Sequence, residues 1–232
     1  MDVARLRWTG LAAVATLWTT LATAAALARF DLLGNRPLSH LVASPAAAHL
    51  FAAGLAGAAV LFVAFHAWVR DRYPASPSFS AAMVGGMVAQ LVAAVVPVEG
   101  AGALAGRVHT VAALVLGGSI PVLMWRFAAA QPPGPLRRTA GRLAAAELAA
   151  CVMGVGLSRR GVAPLAEVLP AAVFHAWVAT LTLWPASARR PGWGPGREES
   201  SVEVDGAELP ELVQAVPGVD AADGARLGAH DQ

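Results

Sequence analysis

Six apolar runs separated by short polar connections organise the chain up to residue 186: Trp8–Leu27, Ala46–Val69, Phe79–Val98, Gly106–Phe127, Leu143–Leu157 and Leu165–Trp184. Most are about twenty residues long, the length a helix rising about 1.5 Å per residue needs to cross a hydrocarbon core of about 30 Å. The pattern predicts an all-α, polytopic integral membrane protein with six transmembrane helices in a bundle (residues 1–186), followed by a different kind of segment from 187 to 232. The fifth run is the shortest and contains Glu147. The first follows Arg5 and Arg7 and carries Ala-x-Ala triplets near Ala22–Ala26, as a signal peptide does, but its length predicts an anchor that is not cleaved.

Composition agrees with the pattern and narrows the chemistry. The 232 residues are 56% hydrophobic and 14% charged, with a mean hydropathy of +0.56, outside the range of soluble domains. All 17 basic residues are Arg, so chemistry that needs a lysine amine, such as a retinal Schiff base, is excluded. The Arg residues flank the apolar runs rather than forming one patch, which argues against nucleic acid as a partner. Cys151 is the only thiol, so no disulfide forms within the chain.

Retained positive charge marks the cytoplasmic side of a membrane protein. Arg5, Arg7, Arg70, Arg72, Arg126, Arg137, Arg138, Arg142, Arg189, Arg190 and Arg197 fall on one side of the expected bundle, against Arg29, Arg36, Arg107, Arg159 and Arg160 on the other. Both termini are therefore expected in the cytoplasm of a cell-membrane protein. The connections Arg29–Pro45, Glu99–Ala105 and Ser158–Pro164 then lie outside, and Asp71–Ser78 and the Pro-rich Gln131–Gly141 inside. Residues 187–232 are rich in Gly, Pro and acids and are expected to be a disordered cytoplasmic tail.

Polar and ionisable groups within the spans are costly to insert and so mark candidate sites. An outer group comprises Arg36, Ser39, His40, His49, Glu99, Arg107, His109, Arg160 and Glu167. Its His and Glu residues are ligand types for zinc, but no HExxH or other short ligand motif is present, and interfacial hydrogen bonding accounts for them as well. His49 and His109 are one pair that could hold a haem axially from two helices, yet His66 and His175 do not supply a second, lying roughly two helical turns apart in depth. No cofactor is therefore expected.

Deeper in the spans, Glu147 has His66, Arg126 and Arg142 as prospective partners: either an ion pair with an Arg or a proton relay. Gln90, Ser119 and Pro121 share the interior. Phe65–Val69 and Phe174–Val178 both read FHAWV, but an inverted three-plus-three repeat would pair the second span with the fifth, so chance explains the match. Small residues four apart, Ala82–Gly86 and Ala113–Gly117, predict close helix contacts. Thr16, Thr20 and Thr23 are expected to bond back to their own helix.

Asn35–Ser44 (NRPLSHLVAS) before the second span, Pro97, Glu99 and Gly100 closing the third, Gly106–His109 (GRVH) opening the fourth, and Gly156–Arg160 (GLSRR) closing the fifth resemble the prokaryotic DUF998 family. The resemblance covers about residues 8–186 and departs from the family pattern at Val98 and Glu99. It implies six helices, a distant likeness to eukaryotic membrane proteins of the DRAM and Sfk type, and no catalytic residues. The function expected is non-enzymatic: the outer rim binds a lipid headgroup or small polar ligand, with Arg36, Arg107 and Arg160 pairing an anion. The alternatives are a metal-dependent hydrolase built on His40, His49, His109 and Glu99, and a small proton-coupled transporter using Glu147.

Overall fold

The computed structural model describes residues 3–96 and 104–185. These residues form six α-helices: α1 (Arg7–Leu27), α2 (Ala48–Arg72), α3 (Pro77–Val95), α4 (Leu104–Ala130), α5 (Pro135–Arg159) and α6 (Ala163–Leu183). Short 3-10 segments at Val3–Leu6 and Leu38–Ala43 accompany them, and no strand occurs among the described residues. All six helices are long and apolar enough to cross a membrane. Their outward faces carry Val60, Val84, Val111, Leu114, Val152 and Leu183, a surface suited to lipid rather than water.

Local chemistry sets the helix ends. Ser76 accepts a hydrogen bond from the Phe79 N–H at 3.2 Å and caps α3, whose first residue is Pro77. After α5 the Gly161 N–H bonds Ser158 O and the Val162 N–H bonds Leu157 O, at 3.1 and 3.0 Å. This is a Schellman turn, and Gly161 occupies its left-handed position at φ +84°. The same pair of bonds closes α1, where Arg29 at φ +48° takes the glycine's place.

Consecutive helices pack as neighbours, and α6 returns to α1, closing a ring. The pairs α1–α2, α3–α4 and α5–α6 approach most intimately, each at a glycine. A Cβ on Gly54 would run into the Thr20 side chain, and one on Gly86 into the Ser119 hydroxyl. One on Gly154 would meet the Ala166 backbone. Of the two small-residue pairs expected to pack, Gly86 does so, whereas Gly117 faces open space. Thr20 and Thr23 bond back to the Thr16 and Thr19 carbonyls at 2.7 and 2.8 Å, as expected for hydroxyls in an apolar helix.

The end of the bundle where α1 begins holds an aromatic core of Phe62, Phe65, Trp68, Tyr73, Phe79, Phe127, Phe174 and Trp177. Tyr73 stands edge-on to Trp68 and Phe127, at centroid distances of 5.7 and 5.5 Å, and donates to Leu181 O at 3.3 Å. Burial pushes its phenol above the ordinary range. Gln131 donates to Pro74 O and Phe127 O at 2.9 and 3.0 Å, stitching the α2–α3 connection to the end of α4. Arg5, Arg7, Arg70, Arg72, Arg126, Arg137, Arg138 and Arg142 gather at this same end. Trp8 and Trp125 are exposed there, with the Arg7 guanidinium 4.5 Å from the Trp8 ring centroid, as in an interfacial belt. At the opposite end, Leu38 and Leu41 of the 3-10 segment fold over Ala24, Ala25 and Phe51.

Helix bounds differ from the expected spans mainly at α5, which starts at Pro135 rather than near Leu143. Arg137, Arg138 and Arg142 made its first turns read as loop. In the helix they are solvent-facing while Ala140 and Ala144 pack inward, the arrangement in which arginine stems lie along an apolar boundary. The residues expected to form the tail, 187–232, lie outside the described residues.

Candidate functional site

The outer group distributes over two faces of the bundle. On one, Glu167 near the start of α6 accepts hydrogen bonds from the Leu38 and Ser39 backbone and from the Ser39 hydroxyl, clamping the 3-10 segment to α6. The Ala163 N–H donates to Gly34 O at 3.1 Å, which joins the loop carrying Arg36 to the turn carrying Arg160. Arg36, His40, His49 and Arg160 are exposed, and Glu99 lies outside the described residues.

On the other face stand Arg107 and His109. His109 is buried, and its Nδ1–H donates to Val96 O at 3.0 Å, satisfying the carbonyl just past the end of α3. His109 thus holds the α3–α4 hairpin, while His49 is exposed on α2, so the two do not face one another as axial ligands would. Among the described residues no three of His, Cys, Asp and Glu gather as a metal site would require.

Arg107 is exposed at the end of a shallow groove of about 390 Å³ between α3 and α4. Gly85, Val88 and Val92 line one wall and Val108, Val111 and Val115 the other. Among the described residues lining the groove Arg107 is the only charged one, and it stands where the apolar lining stops. A Cβ added at Gly85 would meet no other atom within 4 Å, so this wall of the groove is open.

The deeper group also separates. His66 Nε2 lies 3.1 Å from Ser80 Oγ, and the ring sits against Phe79. His175 stacks on Phe62 at 5.9 Å and meets Trp18 edge-on at 5.6 Å, with its Nδ1 unpartnered. Phe62 is four residues before His66, so the two His differ in depth by about one helical turn rather than two. The two FHAWV segments thus hold their histidines in unlike surroundings. Gln90 donates to Leu55 O at 2.7 Å, binding α3 to α2, and Ser119 bonds back to Leu116 O at 2.8 Å.

Glu147 is fully buried in α5, and its hydrogen-bond partner is the Cys151 thiol, 3.8 Å from Oε1. The expected ion pair with Arg126 or Arg142 is not formed, and both guanidinium groups are exposed. Arg142 is five residues away on the same helix, about 140° around it, and so leaves on another face.

Six packed, membrane-length apolar helices define a multi-pass α-helical membrane protein whose solvent is a lipid bilayer. No family model matches the chain, and no curated protein or solved structure is significantly similar to it.

Proposed function

We propose that the protein binds an anionic phospholipid non-enzymatically in the groove between α3 and α4. The acyl chain lies against Val88, Val92, Val111 and Val115, and the phosphate meets Arg107. The observation that carries this reading is a valine-lined groove ending at one exposed guanidinium. Guanidinium forks pair well with phosphate oxygens, and an acyl chain in a groove gains dispersion contacts that a flat lipid-facing surface does not offer. Arg36 and Arg160, joined through the Gly34–Ala163 bond, offer a second anion-pairing position on the far face. The segments that resemble the DUF998 family supply Arg36, Arg107 and Arg160, and this supports one shared role for that rim.

Native mass spectrometry of the full-length protein, purified in mild detergent and supplied with phosphatidylglycerol or phosphatidylcholine, tests the reading. Arg107→Gln is expected to remove the preference for the anionic lipid. Gly85→Phe, which places a ring in open groove space, is expected to reduce binding of both lipids. An unchanged lipid complement in both variants would overturn the proposal.

We propose, on the excess of Arg at that end, that the Arg-rich end faces the cytoplasm and that the membrane is the cell membrane. In a Cys151→Ser background, an impermeant maleimide added to intact cells is expected to label Arg36→Cys and to spare Arg138→Cys. The reverse pattern would invert the topology.

A further inference from the structure

Glu147 sits at the centre of α5, twelve residues from Pro135 and twelve from Arg159, which places it about 18 Å from either end of the helix. The side chain is fully buried; Oε1 accepts from the Cys151 thiol at 3.8 Å, while Oε2 is buried with no hydrogen-bond partner. A carboxylate in hydrocarbon must be compensated by a proton, a cation or a full set of donors. No such donor set is present at Oε2.

The neighbouring charges are committed elsewhere. α5 packs against α4 and α6. On α4, Arg107 and Arg126 are exposed, and His109 is bonded to Val96. On α6, Glu167 clamps the 3-10 segment, and His175 is held between Phe62 and Trp18. On α5 itself Arg137, Arg138 and Arg142 fall within the first three turns and Arg159 in the last, and Cys151 is the thiol already described. A metal ion would need further ligands at this depth, and no such group exists among the described residues. A proton needs only one oxygen.

Both flanking helices carry an internal proline, the two about one turn apart in depth: Pro121 nine residues before Ala130 and Pro170 thirteen before Leu183. Pro121 of α4 removes the helical donor to the Gly117 carbonyl, and Pro170 of α6 removes that to the Ala166 carbonyl. The freed Gly117 carbonyl lies about 20 Å from the Arg-rich end of α4, near the level of Glu147, whereas the freed Ala166 carbonyl lies about 26 Å from that of α6, beside Gly154.

We propose that Glu147 is a proton-binding site at the middle of the bundle. The Cys151 thiol donates to Oε1, and the proton binds and leaves Oε2, making and breaking that one O–H bond with no other change in bonding. The site is separate from the lipid groove and stands or falls independently of it.

Infrared difference spectroscopy of the full-length protein in phosphatidylcholine liposomes tests it. A carboxylic C=O stretch is expected that changes amplitude with bulk pH, shifts in D2O and disappears in Glu147→Gln. Cys151→Ala is expected to move that band to higher frequency, because it removes the donor to Oε1, while the pH response remains. Should Glu147→Gln fail to fold, Glu147→Asp is expected to keep a titrating band at an altered frequency. A band that persists in Glu147→Gln, that ignores pH and D2O, or that is unmoved in both Cys151→Ala and Glu147→Asp would overturn the proposal.

Discussion

Gly154→Leu is expected to separate α5 from α6 and to lower the midpoint of thermal unfolding in mild detergent more than any other substitution of a single small residue in the bundle. A Cβ at this position would lie 2.9 Å from Ala166 Cα and 3.0 Å from its carbonyl oxygen. Those atoms belong to backbone, so no rotamer change relieves the clash, and shortening the Ala166 side chain leaves it in place. Overpacking of this kind costs roughly 1–3 kcal/mol where neighbours can give, and rigid backbone puts this site at the upper end. Gly156→Leu on the same helix is the control, since nothing lies within 4 Å of its added Cβ. It is expected to stay within about 0.5 kcal/mol of the parent, as surface substitutions do. Equal midpoints for the two variants would show that α5 and α6 do not meet at Gly154.

Trp177→Ala is expected to cost about 3 kcal/mol, the low end of the range for deleting a buried aromatic side chain. Trp177 is inaccessible, stands edge-on to Phe127 at 5.3 Å and stacks with Phe174 at 5.9 Å. Lipid is as apolar as the ring, so the loss is of dispersion contacts and of the space they filled, rather than of burial from water. Its Nε1 has no hydrogen-bond partner, so no hydrogen bond is lost with the ring. Trp177→Phe is therefore expected to recover most of the stability. Trp125→Ala, 67% exposed on α4, is expected to change it by no more than about 0.5 kcal/mol. The comparison is made by thermal unfolding and by titration with a denaturing detergent, and a Trp177→Ala variant no weaker than Trp125→Ala would remove the aromatic core from the account of stability.

The two experiments bear on function through the layer between them. Gly154 joins α5 to α6 on one side of the Glu147 layer, and Trp177 joins α6 to Phe127 of α4 on the other. The groove between α3 and α4 depends instead on Gly86 against Ser119 and on His109 against Val96. Stability of the α5–α6 pair and lipid occupancy of the α3–α4 pair are thus separable in the same protein.

The six apolar runs determined by themselves that this chain forms six membrane-spanning helices, because length and hydropathy are local properties and a helix satisfies its backbone without partners. The Schellman turn at Gly161 and the cap at Ser76 are also held by local bonds. The first turns of α5 were not legible, since Arg137, Arg138 and Arg142 resemble a loop until Ala140 and Ala144 are seen packed against the core. The fate of each polar side chain was decided only in three dimensions. Glu167 found Ser39 more than a hundred residues away, His109 found the end of α3, and Glu147 found Cys151 but no Arg. A polar residue in a span announces that some partner is needed, but which one it meets depends on the rotation of each helix about its axis. That rotation is set by packing of small and aromatic side chains across helices, information spread over the whole bundle rather than held in any one segment.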